Sequence, residues 1–238
     1  MDTRVWVTAS QKGGAGKTTA AMCLGDGLAR RGHHVLIIDA DPQATAYKWE
    51  SRPNQGFPRY PVRVEKLCGL SPVDFLKSVL ERCRAEREQT GKEFDYVLID
   101  TPPNLKSSDL EAALFVADLV VVPAKPNGMY IDALEELFAL FAAINERRKS
   151  AQRPPLDVRM LINFMHTNRR TNLNLVTVLR KALERWAEVR HVQARMLEGQ
   201  FKYLAAFENA PNFRTSVYHL PGSKDARDSI DAVVEELI

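Results

Sequence analysis

The sequence predicts an α/β fold in three layers, with a doubly wound, mostly parallel sheet and helices on both of its faces. Short apolar runs alternate along the chain with longer segments of helical periodicity, which is typical of parallel strands joined by crossover helices. The apolar runs are nearly continuous, as expected for strands that helices cover on both faces. Because no repeat, low-complexity segment or linker interrupts the pattern, residues 1–238 are expected to form one domain.

Seven runs predict the strands of this sheet. They are Arg4–Ala9, His34–Asp39, Tyr60–Val64, Tyr96–Asp100, Leu119–Pro123, Val158–Asn163 and a weaker run near His191–Arg195. Six segments predict helices, namely Lys17–Arg31, Pro72–Glu88, Ser107–Ala117, Ile131–Arg148, Asn172–Ala187 and Lys224–Leu237. In the fourth helix, apolar residues recur at helical spacing and predict its core-facing side. These residues are Leu134, Leu137, Phe138, Phe141 and Ile144.

Composition and charge exclude several classes of protein. The chain has 238 residues, a formal charge of +3 and 26% charged residues, which is ordinary for a globular protein and excludes disorder, collagen and coiled coil. No apolar run reaches the ~18 residues that a membrane span needs. The strand pattern starts within the first residues, so we expect no signal peptide. Three cysteines without metal-ligand spacing predict a reduced, cytoplasmic compartment.

The sharpest motif lies between the first strand and the first helix, and reads Gln-Lys-Gly-Gly-Ala-Gly-Lys-Thr-Thr over residues 11–19. A glycine-rich turn at this place lets backbone N–H groups approach phosphate oxygens, and the helix N-terminus adds the positive end of its dipole. Lys17 would reach the β- and γ-phosphates, while the Thr18 hydroxyl would ligate Mg²⁺. The motif therefore predicts a nucleotide-binding loop. Its residues are Lys12, Gly13, Gly14, Ala15, Gly16, Lys17, Thr18 and Thr19.

This motif departs from the ordinary phosphate-binding loop, which has glycine at the position of Gln11. Instead, Lys12 precedes two glycines, and the run Lys-Gly-Gly-x-Gly-Lys-Thr resembles the deviant Walker A motif of the ParA/MinD ATPase superfamily. The resemblance implies a P-loop NTPase fold that binds ATP and Mg²⁺ and forms a homodimer on ATP binding. In that superfamily the first lysine, here Lys12, contacts the nucleotide bound to the partner subunit.

Two aspartates follow the second predicted strand in the run Ile-Ile-Asp-Ala-Asp-Pro-Gln over residues 37–43. An acid at the carboxyl end of a parallel strand lies in the crevice where doubly wound sheets bind ligands. The run resembles the Asp-x-Asp-Pro-Gln switch motif of the same superfamily. By that resemblance, Asp39 supports the water shell of Mg²⁺ and Asp41 positions the attacking water. The predicted catalytic residues are therefore Lys12, Lys17 and Asp41.

A third acid, Asp100, ends an apolar run and is followed by Thr-Pro-Pro. This run resembles a Walker B strand and the start of switch II, whose carboxylate holds Mg²⁺, usually through a water. The predicted metal ligands are Thr18, Asp39 and Asp100. Further along the chain, resemblance implies that the loop containing Pro221 packs near the adenine. Asn163 either hydrogen-bonds the base or is a turn residue at the end of its strand.

A basic window between residues 153 and 202 bears on DNA binding, because partition ATPases of this superfamily bind DNA without sequence preference. The window holds ten basic residues against four acidic ones. Contacts between such residues and phosphates supply non-specific affinity. The alternative is a solvated helix face, because basic residues alternate there with Glu184 and Glu188. The candidate DNA contacts, inside and beyond the window, are Arg169, Arg170, Arg195, Lys202, Arg214, Lys224 and Arg227.

The chain resembles the small plasmid-type ParA proteins. That resemblance implies a nucleoid-associated ATPase with slow basal turnover, stimulated by a centromere-binding ParB- or ParG-like adaptor, that segregates DNA. The acidic terminal helix argues against the membrane targeting of MinD-type relatives, and the cysteine positions argue against iron–sulfur relatives. Three alternatives stay open: a VirC1-like accessory ATPase of conjugative transfer, a cargo-positioning ATPase that serves a protein assembly, and an amide ligase or synthetase of the superfamily.

Overall fold

The computed structural model of the protein describes residues 3–165 and 170–238, and for residues 170–172 it describes only the backbone. Within these ranges, seven strands belong to one sheet. They are β1 Arg4–Thr8, β2 Val35–Asp39, β3 Arg63–Lys66, β4 Tyr96–Asp100, β5 Leu119–Ala124, β6 Asp157–Met165 and β7 Gln193–Lys202. Their order across the sheet is β3-β2-β4-β1-β5-β6-β7, and every neighbouring pair is parallel.

Eight helices occur in the described part of the chain. They are α1 Lys17–Ala29, α2 Thr45–Ser51, α3 Pro72–Thr90, α4 Ser108–Val116, α5 Gly128–Ser150, α6 Arg170–Arg190, α7 Ala205–Phe213 and α8 Lys224–Leu237. A short 3₁₀ turn at Val217–His219 precedes α8. Across the ranges 3–165 and 170–238, no helix has both the length and the apolar character needed to span a membrane.

Two apolar cores, one on each face of the sheet, hold the layers together. The alternation of side chains along β1 shows this division, since Trp6 belongs to one core and Val7 to the other. Residues of α3, α4, α5 and α6 fill the core that contains Val7. Residues of α1, α2, α7 and α8 fill the core that contains Trp6. The structure therefore has three layers, and the predicted fold class is confirmed.

The chain changes direction across the sheet at its centre. From β1 it runs through α1 to β2 on one side, whereas β5, β6 and β7 follow one another on the other side of β1. In doubly wound sheets, ligands bind at the carboxyl ends of the strands next to such a switch point. The segment between β1 and α1, which holds the glycine-rich motif, lies at this place.

Several predicted boundaries differ from the structure. The sheet is parallel throughout, where a mostly parallel one was predicted. The third strand begins at Arg63 rather than Tyr60. Tyr60 precedes the strand and is buried against α1, where its hydroxyl donates to the Met22 carbonyl at 2.5 Å. The weak run near His191 is the first part of the ten-residue strand β7. Helices α2 and α7 were not predicted. The core-facing side predicted for α5 is confirmed, because all five of its residues are buried.

Candidate functional site

The glycine-rich loop has the backbone geometry of an anion-binding turn. Gly14 and Gly16 have φ angles of 72° and 87°, in the left-handed region that glycine adopts without steric cost. Gly16 is the N-cap of α1, and no side chain caps this end of the helix. The first N–H groups of a helix have no partner within the helix. Those of α1 are therefore placed to bind an anion together with the positive end of the helix dipole.

The two lysines of the loop differ in their surroundings. Lys17 is buried, and burial lowers the pKa of its amine against the opposing influence of Asp100 and Asp41. Lys12 is half-buried, and no side chain in the described ranges forms a hydrogen bond or an ion pair with its ammonium. The loop therefore holds one buried lysine whose pKa responds to nearby acids, and one half-buried lysine whose ammonium has no side-chain partner in the described ranges.

The residue before Lys12, which is not the usual glycine, contacts α5. The Gln11 amide donates a short hydrogen bond to the Glu136 carboxylate on α5. This hydrogen bond joins the start of the loop to α5.

Thr18 and Asp100 lie together at the start of α1 and the end of β4. The Thr18 hydroxyl donates to Oδ2 of Asp100 at 2.6 Å, and the Thr8 hydroxyl donates to Oδ1 of Asp100 at 3.3 Å. Burial raises the pKa of Asp100 to about 7. Hydroxyl and carboxylate oxygens are the ligands that Mg²⁺ prefers. The pair therefore fits the predicted Mg²⁺ site, with Thr18 and Asp100 as the residues that would hold the ion.

Asp39 lies beside Asp100, because the two residues are in register on adjacent strands. Its carboxylate is fully buried and accepts the N–H of Asp41 at 3.1 Å and the N–H of Tyr47 at 2.9 Å. Burial raises its pKa, and these backbone bonds oppose the shift. In this structure Asp39 orders the turn that leads into α2. Its predicted support of the Mg²⁺ water shell stays a prediction.

Asp41 lies just beyond the end of β2 and is half-buried. Its Oδ1 accepts the N–H of Gln43 at 2.9 Å, which closes the turn at the start of the switch segment. Its carboxylate lies near enough to Lys17 and Asp100 for its charge to raise the pKa of both groups. Its predicted role in orienting a water stays a prediction.

The residues predicted near the base have different surroundings. Asn163 is fully buried at the end of β6, and its amide contacts the carbonyl of Ala15 in the loop. Pro221 is exposed and lines a cavity of about 360 Å³ together with the stacked rings of Phe57 and Phe213. The sequence motif did not reveal the Asn163 contact, and its predicted contact with the base stays a prediction.

The predicted DNA contacts do not form one compact patch. Arg169 lies outside the described residues, and only the backbone of Arg170 is described. Arg195 and Lys202 are both exposed on β7, but they are seven residue steps apart along the strand, or roughly 23 Å. Arg214 is half-buried and donates to the Arg52 carbonyl at 3.1 Å. Near the start of α8, Lys224 is exposed and Arg227 is half-buried.

Two buried threonines complete the site and were missed by the sequence analysis. Thr8 ends β1 and donates to Asp100, while the Thr101 hydroxyl donates to the Thr8 carbonyl at 2.6 Å. Thr8 thus contacts the carboxylate oxygen of Asp100 that Thr18 does not, and Thr101 is bonded to the backbone of Thr8. The signal available in the sequence was a polar residue at the end of each of two adjacent apolar strands.

A glycine-rich loop at the switch point of a doubly wound sheet, with a buried lysine and a threonine–aspartate pair beside it, defines a P-loop nucleotide-binding protein. Residues 6–208 match the family described as the CobQ/CobB/MinD/ParA nucleotide binding domain. The chain belongs to this family, which confirms the resemblance found in the sequence.

Individual relatives fall in the same group. The chain is 36% identical over 157 residues to the chromosome-partitioning ATPase Soj of Thermus thermophilus, covering 59% of this chain and 61% of that protein. It is 33% identical over 133 residues to the maintenance of carboxysome distribution protein A of Gloeobacter kilaueensis, covering 56% and 54%. The matched region thus spans only 54–61% of the length of these two relatives.

Solved structures show the same fold. Apo McdA from Cyanothece superposes with a TM-score of 0.70 at 18% identity, covering 99% of this chain and all of that one. At this level of identity the likeness establishes the arrangement of strands and helices.

Proposed function

We propose that this protein is a Mg²⁺-dependent ATPase that partitions DNA, and that it acts as a homodimer formed around ATP. The observation that carries the proposal is the pairing of Thr18 with Asp100 at 2.6 Å beside a loop whose first lysine, Lys12, is uncommitted among the described side chains. A lysine with no partner in its own subunit is available to reach a phosphate bound to a second copy. The similarity to a chromosome-partitioning ATPase supports the biological role.

The residues of the site suggest how hydrolysis proceeds. The backbone of residues 13–16 and the first turn of α1 would hold the phosphates, with Lys17 against the β- and γ-phosphates. Asp41 would orient a water whose oxygen bonds the γ-phosphorus as the bond to the β–γ bridging oxygen breaks. Lys17 and the partner's Lys12 would stabilise the charge that develops on the phosphoryl oxygens. Thr18 and Asp100 would hold Mg²⁺, which would supply further charge neutralisation.

DNA binding would depend on the nucleotide state. In the proposed cycle the ATP-bound dimer binds DNA through basic side chains without sequence preference, and hydrolysis releases it. A ParB- or ParG-like adaptor would stimulate the slow basal turnover. We place the active protein in the cytoplasm on the nucleoid, and residues 1–238 would act as one domain.

The size of the protein in solution tests this proposal. Light scattering with ATP, with ADP and without nucleotide should show a dimer only with ATP. Filter binding to DNA should then require ATP and fall steeply with salt. A protein that stays monomeric with ATP, and binds DNA equally in all three states, would contradict the proposal.

A second candidate function is the positioning of a protein assembly, and the similarity to a carboxysome distribution protein favours it. The two functions use the same ATP-dependent DNA binding and differ in the cargo. A pull-down with the ATP-bound protein distinguishes them, because partition requires a DNA-binding adaptor with a specific centromere site. In a VirC1-like role in conjugative transfer, the protein would instead stay bound to one specific DNA site when scrambled competitor DNA is added.

A further inference from the structure

Asn163 connects the end of β6 to the phosphate-binding loop. Its side chain is 0% exposed. The amide Nδ2 donates to the Ala15 carbonyl at 2.8 Å, while Oδ1 accepts the N–H of Phe164 at 3.0 Å. The bond from the Phe164 N–H fixes the orientation of the amide. In this orientation, the bond to the Ala15 carbonyl holds the loop.

A held carbonyl also fixes the neighbouring N–H group. The peptide unit between Ala15 and Gly16 is planar, and no cis peptide bond occurs in the described residues. In a trans peptide the C=O and N–H vectors point in opposite directions. Because the Ala15 carbonyl points toward Asn163, the N–H of Gly16 must point away from β6.

We infer that Asn163 is a positioning residue for phosphate binding: it holds the Ala15 carbonyl so that the N–H of Gly16 faces the phosphates. The inference rests on the proposed function, because it requires that the loop binds a nucleotide. Asn163 touches no phosphate in this arrangement. It acts through the loop backbone, which is prepared for the anion before the ligand arrives.

The fit between β6 and the loop is close on two sides. A Cβ atom built on Gly16 would lie 2.1 Å from Nδ2 of Asn163 and 3.0 Å from the Phe164 ring. Phe164 itself has a φ of 54°, which is unusual for a bulky residue. The Lys125 ammonium lies 4.7 Å from the centre of its ring. Strained residues persist where the surroundings enforce them, so the end of β6 is shaped to fit this loop.

The alternative role for Asn163 is a hydrogen bond to the adenine. The two roles differ in which part of the nucleotide depends on the side chain. A positioning residue affects every ligand that carries the phosphates, whereas a base contact affects only ligands that carry the base. Inorganic tripolyphosphate, which has phosphates and no base, therefore distinguishes them.

The test is to measure the affinities of Asn163→Leu for Mg·ATP and for Mg·tripolyphosphate, by competition with a fluorescent ATP analogue. Leucine has nearly the shape of asparagine but donates no hydrogen bond. Without Asn163, the N–H of Gly16 should lose its alignment with the bound phosphates. Both ligands should then bind more weakly by the same factor, roughly tenfold to a hundredfold. The ratio of ATP to GTP affinity should not change.

Asn145→Leu is the matched control, because Oδ1 of Asn145 accepts the N–H of Leu156 at 2.8 Å, far from the loop on α5. It should lose stability and keep both affinities. Asn163→Ala also removes the hydrogen-bond donor and introduces no larger side chain. If Asn163→Leu does not fold, the same measurements are made on Asn163→Ala.

Two results would overturn the inference: a loss of ATP affinity with tripolyphosphate binding intact, or no loss for either ligand in a folded variant. A wild-type protein that binds no ATP would instead refute the proposed function.

Discussion

The Thr18 hydroxyl donates to Oδ2 of Asp100 at 2.6 Å, across 82 positions of sequence. This bond joins the first turn of α1 to the last residue of β4. Burial raises the pKa of Asp100 to about 7, so below neutral pH the carboxyl group holds a proton that an ordinary aspartate would have lost. A divalent cation bound at this position would displace that proton and neutralise the charge of the carboxylate. Burial of Asp100 is unfavourable without such a cation, and it is therefore consistent with a metal site.

The raised pKa predicts a pH-dependent stability. An unfolded aspartate has a pKa near ~3.9, so between about pH 4 and pH 7 the folded protein holds a proton that the unfolded chain has lost. Its free energy of unfolding therefore falls as the pH rises through this range. Asp100→Asn removes the effect and should stabilise the metal-free protein by roughly 2–4 kcal/mol at pH 8, and by little near pH 4. Urea unfolding with a chelator measures both values.

Asp228→Asn is the control for this comparison, because Asp228 is exposed on α8. It should change stability by a few tenths of a kcal/mol at either pH. An equal gain for Asp100→Asn at both pH values would show that the carboxyl group is ionised throughout, against the raised pKa.

Lys12→Ala should prevent dimerisation on ATP and leave binding to the monomer largely intact. The reason is that Lys12 has no partner within the described part of its own subunit, whereas Lys17 is buried in the loop. Light scattering with ATP and a nucleotide-binding assay measure the two properties. Lys77→Ala, which changes a lysine on α3 outside the loop, should dimerise like the wild type. A dimer of Lys12→Ala that persists with ATP would contradict a role across the interface.

Asp41→Ala should slow ATP hydrolysis by roughly 10²-fold or more, since the attacking water loses the group that orients it. Nucleotide affinity should not fall, because the negative charge of Asp41 opposes a bound phosphate. Single-turnover hydrolysis and ATP affinity are the measurements, and Asp41→Asn separates loss of the charge from loss of the side chain. Unchanged hydrolysis in both variants would assign the water to another residue.

Most of the fold could be predicted because the central strands are continuous apolar runs. Helices α2 and α7 could not be predicted. Their N-cap residues are Ala44 and Leu204, and neither of these residues forms a side-chain hydrogen bond that caps the helix. A proline also interrupts the pattern of α7. The length of β7 was missed for a different reason. The carboxylate of Glu236 accepts the N–H groups of Glu198 and Gly199, and this contact with α8 is not visible in the local sequence.

The site divides in the same way. The loop was predicted from one contiguous motif, and the acids from their positions at strand ends. The contact of Asn163 with Ala15 spans 148 positions and depends on which way one amide points. Likewise, the basic window appeared continuous in sequence, but a strand places Arg195 and Lys202 near opposite ends of the sheet. Local patterns therefore predict which residues share an edge of the sheet, and they do not predict the contacts between side chains.

The positions of the basic residues relative to the two edges of the sheet predict which of them bind DNA. Lys202 ends β7 at the carboxyl edge of the sheet. The C-terminal end of α8 reaches the amino edge of the sheet, where Ile238 lines a cavity with Arg4 and Tyr96. The first residue of α8, Lys224, lies roughly 20 Å back along this helix, toward the carboxyl edge. Lys202 and Lys224 therefore lie toward the edge where we propose that the nucleotide binds, whereas Arg195 lies near the opposite one.

DNA binding that depends on ATP should use the basic residues closest to the nucleotide. Lys202→Ala combined with Lys224→Ala should lower DNA affinity, and should reduce the slope of log affinity against log salt by about 0.9 for each DNA phosphate that the variant no longer neutralises. Arg195→Ala, which removes one exposed charge from the same strand, should leave that slope close to the wild-type value. If Arg195→Ala instead lowers the slope and the double variant does not, the DNA lies along the amino edge of the sheet. Its release on hydrolysis would then require a change transmitted through the whole sheet.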